Sequence, residues 1–408
     1  MKKASVLAMA LCLIGIGIAQ TNIRIMGYGG QDPAIVQRLL DDVIGDRLAA
    51  EGITVSYEPL EGDYNAALFN ALSAGTAADI FYLPGETAPA IVATGKVLAL
   101  DGHIDVSPFI ASLMDVYTFD GRVYGVPKDF NTLALVYNTD LFDEAGVEYP
   151  DEDDTWADFA DKLRGVSALE DGVYGACFPT TYDRFGAFAF ASGWQPPGVV
   201  EQPDFTDSAM NEAVDWYTGL IREGAAVTPA DVGQGWTGGC LATEEVGVAI
   251  EGAWIVGFLR NDAPNLRYGA TFLPLGPSGE RGNFIYSVAY AVNSDSPNRD
   301  AALLVLEALT SPEAQQWVLE EGLAIPSRSE LADNPFFDQD TPEARANRTV
   351  FQGAEQGNVY GFQFGTLGTD FMNPINDALS AIVTDGAEID QALGQAQRNL
   401  QALQERAR

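Results

Sequence analysis

The alternation of apolar and polar positions is most informative at residues 123–138. Two short apolar runs, residues 123–127 and 133–137, are rich in β-forming side chains, and each has the length of one strand. A polar segment, residues 128–132, separates them. Two strands joined by an extended polar link suit a hinge between two lobes better than the middle of one core. The pattern therefore predicts that the chain first passes between lobes here.

Strand-like and helix-like segments alternate before this hinge. Apolar runs at residues 23–26, 53–58 and 78–83 predict strands, and periodic segments at 33–51 and 64–73 predict helices. This alternation is typical of an α/β fold with a mostly parallel sheet, in which ligand-binding loops follow the carboxyl ends of the strands.

The segments after the hinge predict a second lobe of the same kind. Strands are expected at residues 174–178 and 245–250, with a periodic helix at 207–223. The apolar run at 284–292 is expected to carry the chain back to the first lobe. The helices from about residue 373 onward are expected to complete the second lobe.

Two interleaved lobes with three crossings follow from this order of elements. A chain of 408 residues is also longer than one hydrophobic core usually supports. The first lobe is predicted to comprise residues 20–129 and 288–331. The second lobe is predicted to comprise residues 130–287 and 332–408.

The first 19 residues have the pattern of a secretory signal peptide. Lys2 and Lys3 begin it, and a long uncharged run follows. Gly17 and Ala19 supply the small residues of a cleavage site. The run is short for a membrane span, and Cys12 follows a leucine that is too large for the usual lipoprotein site. We therefore predict cleavage near Ala19 and an exported protein, either periplasmic or at the cell surface.

The charge balance excludes two classes of partner. The chain has 58 acidic residues against 22 Lys and Arg, which gives a formal net charge of −36. Nucleic acids and anionic membranes attract positively charged surfaces, so neither is expected as a partner. The acid excess is consistent with adaptation to high salt and equally with a composition that only aids solubility.

Two cysteines, Cys177 and Cys240, lie outside the predicted leader. In the oxidising compartment of an exported protein, two lone cysteines usually pair. We therefore predict one disulfide, and closing a loop of this length should stabilise the fold by roughly 3–4 kcal/mol.

Catalytic motifs are missing from the sequence. There is no G-x-S-x-G, H-E-x-x-H or phosphate-binding G-x-x-x-x-G-K-[ST] segment. His103 is the single histidine, which rules out a multi-histidine metal site, although an all-carboxylate calcium site remains possible. No cofactor and no enzymatic activity are predicted. Paired acids can still hydrolyse glycosides, so a secreted carbohydrate-active enzyme is the rival hypothesis.

Three segments resemble the extracellular solute-binding proteins of ABC importers, specifically the maltose-binding-protein-like branch that takes sugars. They are GDYNAALFNALSAGTAADIFYL at residues 62–83, YGVPKDFNTLALVYNTDLFDEAGVEYP at 124–150 and TSPEAQQWVLEEGLAIPSR at 310–328. The resemblance implies a two-lobed periplasmic-binding-protein fold of type II, in which each lobe is a mostly parallel sheet flanked by helices. It also implies a monomer that holds a mono- or oligosaccharide between its lobes and delivers it to a membrane permease.

The residues expected to contact ligand follow from this family pattern and from the chemistry of the loops. Aromatic rings cover the apolar faces of a sugar, while carboxylates, amides and arginine bind its hydroxyls. The expected ligand-contacting residues are Tyr28, Gln31, Asp32, Glu86, Asp129, Asn131, Tyr182, Arg184, Trp236, Gly252, Trp254, Tyr286 and Phe364. By contrast, Trp156, Trp216 and Trp317 lie on periodic helices and are expected to pack in the core.

The chain departs from the maltose-binding pattern at several of these positions. Gly30 and Gln31 stand in the first loop, where that branch has charged residues, and Asn131 stands where it has a glutamate. The late tryptophan of that branch is either replaced by phenylalanine or shifted in position. These differences argue against malto-oligosaccharide as the ligand, but not against sugars in general. A peptide, a polyamine or a ferric ion remains the alternative ligand.

Overall fold

The computed structural model describes residues 20–29, 32–60, 62–170, 172–197, 200, 202–321, 324–362 and 364–407. The predicted leader, residues 1–19, lies outside the described residues. No helix in these ranges is both long enough and apolar enough to cross a bilayer.

The strands in chain order are β1 (Thr21–Tyr28), β2 (Ile53–Leu60), β3 (Ile80–Pro84), β4 (Thr118–Phe119), β5 (Arg122–Val123), β6 (Val126–Asn131), β7 (Ala134–Asn138), β8 (Tyr174–Cys177), β9 (Ala226–Val227), β10 (Val246–Glu251), β11 (Tyr268–Thr271), β12 (Gly282–Val292) and β13 (Asn358–Gly361).

The α-helices are α1 (Asp32–Leu39), α2 (Gly45–Ala50), α3 (Tyr64–Ala74), α4 (Ala88–Ala93), α5 (Ala111–Val116), α6 (Thr139–Ala145), α7 (Trp156–Ser167), α8 (Tyr182–Ala191), α9 (Ser208–Arg222), α10 (Thr237–Ala242), α11 (Trp254–Asp262), α12 (Arg299–Leu309), α13 (Pro312–Glu320), α14 (Pro342–Gly353), α15 (Asn373–Thr384) and α16 (Ile389–Ala407). A π-helical turn, Leu40–Ile44, joins α1 to α2, and shorter 3-10 helices occupy Pro229–Val232, Ser329–Leu331, Pro335–Asp338 and Gly365–Met372.

The strands form two mixed sheets, and β4 and β5 pair separately as a hairpin. The first sheet has the order β13-β12-β3-β1-β2, with β6 also paired to β12, and the second has the order β11-β7-β10-β8-β9. β1 runs parallel to β2 and β3, and β8 runs parallel to β9 and β10. The antiparallel pairs of both sheets all include β7 or β12. The expectation of mostly parallel sheets therefore fails at the two strands by which the chain enters one lobe from the other.

The two-lobed α/β fold predicted from the sequence is confirmed, but the hinge lies slightly later than expected. Residues 128–132, predicted as the polar link, mostly belong to strand β6 itself. The crossing falls at Thr132 and Leu133, which are fully buried. Thr132 Oγ1 donates a hydrogen bond to the carbonyl of Val350 (2.6 Å), and the amide of Leu133 donates to Asn283 Oδ1 (2.8 Å). These bonds satisfy the polar groups of a crossing that lies inside the protein.

The chain returns to the first lobe along β12, and it crosses to the second lobe again in the segment before α14. The end of β12 pairs with β3 in the first sheet, whereas its first residues pair with β13. α14 packs on β7 and β11 of the second sheet. The lobe boundaries drawn from the sequence stay predictions at the level of single residues.

The two lobes have separate cores of different composition. In the first, all five residues of β3 are buried, as expected for a strand covered on both faces. The second is strongly aromatic, and Trp156 stacks on Trp216 with ring centroids 4.6 Å apart. The prediction of a core position is confirmed for Trp156, whereas Trp216 is partly buried and packs against that core. Trp317 is only partly buried, and the guanidinium of Arg38 lies over its ring at 5.1 Å.

The predicted disulfide is present. It joins Cys177, the last residue of β8, to Cys240 in α10, and both side chains are fully buried. The bond therefore connects the second sheet to the helix that begins at Thr237.

Candidate ligand-binding cleft

Five of the predicted site residues lie at one edge of the first sheet. β1 ends at Tyr28, α1 begins at Asp32, and Glu86 follows β3. Asp129 and Asn131 lie at the end of β6. Because β6 runs in the same direction as β3 across the intervening β12, its carboxyl end reaches the same edge. Ligand-binding loops of α/β sheets lie at this edge.

Tyrosine rings surround these first-lobe loops. The ring centroid of Tyr28 lies 4.7 Å from that of Tyr64 and 5.3 Å from that of Tyr82, both edge-to-face. Tyr64 Oη donates to the carbonyl of Tyr82 (2.9 Å), and Tyr57 Oη donates to the carbonyl of Tyr28 (2.7 Å). Burial, reinforced by the nearby carboxylate of Glu86, raises the pKa of Tyr28 well above its usual value. These tyrosines stay neutral and form a rigid support for the loops.

A buried ion pair stands beside the tyrosines. Lys128 Nζ contacts Asp129 Oδ2 and lies 5.0 Å from the ring centroid of Tyr82. Burial alone would lower the pKa of Lys128, but the carboxylates of Asp129 and Asp32 outweigh it and raise that pKa. A cavity of about 70 Å³ adjoins this pair and is also lined by Tyr290. The positive charge of Lys128 is therefore already neutralised within the protein.

Glu86 differs from the other first-lobe carboxylates. Burial raises its pKa, and a hydrogen bond with the Asn65 side chain opposes that shift. Among the described residues, no basic side chain forms an ion pair with Glu86. Unlike the carboxylate of Asp129, which is paired with Lys128, the carboxyl group of Glu86 therefore has no paired cation among the described residues.

The second lobe holds its predicted residues around one buried carboxylate. β10 ends at Glu251, whose exposed fraction is 0%. Its carboxylate accepts hydrogen bonds from Arg184 Nη2 (2.7 Å) and Trp254 Nε1 (2.7 Å), and also from Thr237 Oγ1. Gly252 allows this arrangement, because a Cβ atom at that position would lie 2.6 Å from the Trp254 ring.

Arg184 is enclosed by acceptors and rings. It donates from Nε to the carbonyl of Ile250 (3.0 Å) and from Nη1 to Asp183 Oδ2 (2.9 Å). Its guanidinium carbon lies 5.6 Å from the ring centroid of Trp254 and 5.9 Å from that of Tyr286. Burial would lower the pKa of Arg184, but the carboxylate of Glu251 outweighs burial and raises it.

A row of aromatic rings extends from Trp254. Its ring meets that of Tyr286 edge-to-face at 5.6 Å, Tyr286 lies 5.3 Å from Phe362, and Phe362 lies 4.8 Å from Phe364. The first three side chains are partly exposed, whereas Phe364 is buried. We call Trp254, Tyr286 and Phe362 the aromatic row.

Backbone and side-chain contacts at the hinge join the first-lobe loops to the second-lobe residues around Glu251. We call these two sets the first-lobe and second-lobe half-sites. Asn131 Oδ1 accepts a hydrogen bond from the amide of Ala253 (2.9 Å), immediately before Trp254. Tyr286 pairs with Asn131 across β12 and β6. Ser287 Oγ donates to the carbonyl of Asp129 (2.9 Å). Loops from both lobes thus converge on the same stretch of the crossing strands.

Three predicted contact residues are not brought to this surface, and a fourth lies outside the described residues. Tyr182 is fully buried because its position on α8 faces the aromatic core, and its hydroxyl has no hydrogen-bond partner among the described residues. Phe364 stacks on Phe371 beneath the aromatic row. Trp236 packs edge-to-face on Phe258, with centroids 4.7 Å apart. The fourth residue is Gln31.

The sequence interpretation missed Glu251 and Thr237. A carboxylate at the end of an otherwise apolar strand, followed by Gly-Ala-Trp, is unusual and could have indicated a buried polar centre. The signal for Thr237 is weak, because it lies 14 residues from Glu251 in a small helix.

Two lobes joined by crossing strands, with polar and aromatic loops converging at the crossing, define a hinged binding protein. Residues 48–345 match the family of bacterial extracellular solute-binding proteins, and the chain belongs to that family. The resemblance inferred from the sequence is thereby confirmed.

Several similar proteins align with most of the length of this chain. The galactooligosaccharide-binding protein of Bacillus subtilis is 26% identical over 351 residues, covering 79% of this chain and 76% of its own. The ABC substrate-binding protein of Listeria monocytogenes in complex with cycloalternan has a TM-score of 0.83 at 19% identity, covering 95% and 99%. UgpB of Mycobacterium tuberculosis, in complex with glycerophosphocholine, has a TM-score of 0.79 at 20% identity, covering 95% and 99%. These two structures establish the fold alone.

Proposed function

We propose that this protein captures a carbohydrate between its lobes and delivers it to the membrane permease of an ABC importer, without breaking a bond. The observation that carries the proposal is the aromatic row of Trp254, Tyr286 and Phe362, partly exposed beside loops that carry carboxylates. Aromatic faces with adjacent acidic groups suit the apolar faces and hydroxyls of a sugar. The galactooligosaccharide-binding relative and the cycloalternan complex support this ligand class.

Capture is proposed to work by hinge closure. The crossings at residues 132–133 and along β12 leave each lobe with its own main core, and a smaller cluster packs residues of both lobes at the hinge. This arrangement suits the domain closure described for periplasmic binding proteins. A ligand held by both half-sites favours the closed state, because only that state makes both sets of contacts. The permease would then recognise the closed form. We further propose that the protein is exported after removal of its leader and acts as a monomer.

Thermal unfolding with a panel of ligands tests the proposal. The panel comprises galactobiose, maltotriose, mannotriose, cycloalternan and mannitol, with glycerophosphocholine, spermidine, a tripeptide and ferric citrate as non-sugar arms. A sugar present at about 100 times its dissociation constant should stabilise the protein by about 2.7 kcal/mol and raise Tm. A rise with only a non-sugar compound would replace the proposed ligand class. Release of shorter sugars during long incubation would instead indicate a hydrolase.

A further inference from the structure

Glu251 is the most completely enclosed charged group of the second-lobe half-site. Its side chain has no exposed surface, and three side chains donate to it: Arg184, Trp254 and Thr237. A buried carboxylate is strongly disfavoured unless such donors satisfy it. The three donors come from three helices, α8, α11 and α10, so the carboxylate joins separate elements.

One consequence concerns the indole of Trp254. Its single polar atom, Nε1, already donates to Glu251 at 2.7 Å. The edge of Tyr286 meets the ring at 5.6 Å, and the backbone of Gly252 passes close to it. The indole can therefore offer a ligand only an apolar ring face, held in one orientation.

A second consequence concerns charge. The side chain of Arg184 is 12% exposed, and its guanidinium is shared between Glu251, Asp183 and the carbonyl of Ile250. An anionic ligand gains from arginine only when the guanidinium is free to form a bidentate contact. In the second-lobe half-site that capacity is already used by the protein's own carboxylates.

We propose that Glu251 is the positioning residue of this half-site: it fixes the Trp254 ring for stacking and neutralises Arg184, so that the half-site takes an uncharged sugar ring and not an anion. This inference rests on the proposed function, because it assumes that the cleft binds a sugar. It assigns to Glu251 no contact with the ligand.

Two substitutions of Glu251 separate the two roles. Glu251→Gln keeps an acceptor for the indole N–H but removes the fully buried one of the two carboxylates that compensate Arg184, so that only Asp183 remains. Glu251→Ala removes both the acceptor and this buried carboxylate. Asp154→Ala is the matched control, because Asp154 is a buried carboxylate of the same lobe that pairs with Lys162 (2.5 Å), away from the aromatic row. Circular dichroism and unfolding curves establish that each full-length variant is folded.

The first readout needs no sugar. The emission of Trp254 is obtained by subtracting the spectrum of Trp254→Phe, and its accessibility is measured by acrylamide quenching. We expect Glu251→Ala to red-shift this emission and increase its quenching, Glu251→Gln to restore most of the native values, and Asp154→Ala to change neither. Unchanged emission in Glu251→Ala would overturn the positioning role, as would an equal change in Asp154→Ala. If Glu251→Ala does not fold, Glu251→Leu, which keeps a side chain of similar volume but accepts no hydrogen bond, takes its place with the same expected and contradicting results.

The second readout uses titration calorimetry with the panel sugar that gives the largest Tm rise, and with glucuronic acid as the anionic probe. An indole that is no longer held in place loses its stacking contact, so sugar binding should weaken by about 10-fold in Glu251→Ala. Glucuronic acid should bind Glu251→Gln more tightly than the native protein. No gain for glucuronic acid would overturn the charge role. Failure of every sugar would instead contradict the proposed function, while the fluorescence result would still decide the role of Glu251.

Discussion

The two half-sites differ in how their polar groups are used. In the second lobe, the polar atoms beside the aromatic row are bound to one another, and Arg184 and Glu251 compensate each other's charge. In the first lobe, Lys128 and Asp129 also form a pair, but the carboxyl group of Glu86 forms no ion pair with any of the described residues. The comparison indicates a division of labour. If the cleft binds a sugar as proposed, we expect the second lobe to supply a fixed apolar surface and the first lobe to supply the acceptors that distinguish hydroxyl groups.

The largest expected effect concerns the ion pair of the first lobe. Asp129→Ala leaves the buried ammonium of Lys128 without its partner, and breaking a buried pair in this way typically costs about 3–5 kcal/mol. Urea unfolding measures the loss. Asp295→Ala is the control, because its pair with Lys96 is half-exposed and should cost no more than about 1 kcal/mol. Equal losses for the two variants would show that Lys128 reaches water.

The next largest loss of stability is expected from reducing the disulfide, which lies in the second lobe. Cys177 and Cys240 enclose 63 residues, so reducing the bond should lower the free energy of unfolding by roughly 3–4 kcal/mol. α10 also carries Thr237, which donates to Glu251, so we expect the emission of Trp254 to change on reduction. The unreduced, denatured protein without its leader should contain no free thiol. Detection of two thiols per chain would contradict the bond.

The sequence was sufficient for features that depend on local pattern. The hinge near residues 123–138 follows from neighbouring residue types, and the disulfide follows from the presence of only two cysteines outside the leader of an exported chain. The burial of Tyr182 could not be read in this way, because it depends on which face of α8 meets Phe284 and Phe371. The role of Glu251 depends on Arg184, which lies 67 residues away in the chain.

Trp254→Ala should have a smaller effect than the previous two changes, and it should change the free energy of ligand binding and not that of unfolding. Removing a stacking ring is expected to weaken sugar binding by roughly 1–3 kcal/mol while the unfolding free energy of the first lobe is kept. Calorimetry with the best panel sugar measures the change. Trp317→Ala is the matched control, because Trp317 is also partly buried but lies on α13 in contact with Arg38. Equal affinity in the two variants would remove Trp254 from the binding surface.

The smallest expected effect is on the pH dependence of stability, and it separates Glu86 from the carboxyl groups that form ion pairs. Burial raises its folded-state pKa, so its uncharged form is favoured on folding. That contribution to stability is fully present below the unfolded-state pKa and is lost as pH rises through the folded-state pKa. Glu86→Gln stays uncharged throughout. Its stability relative to the native protein should therefore be greater at pH 7 than at pH 4, as measured by thermal unfolding without ligand.

Binding should respond to the same substitution with the opposite sign. If the carboxylate of Glu86 accepts a hydrogen bond from a sugar hydroxyl, Glu86→Gln weakens that bond, because charge-assisted hydrogen bonds are the stronger kind. Higher stability with lower affinity in Glu86→Gln would show that the carboxylate of Glu86 lowers the stability of the protein but contributes to ligand binding. Higher stability with unchanged affinity would place Glu86 outside the binding surface. The first lobe would then have to discriminate hydroxyl groups through other acceptors, and Asp32 at the start of α1 is one candidate.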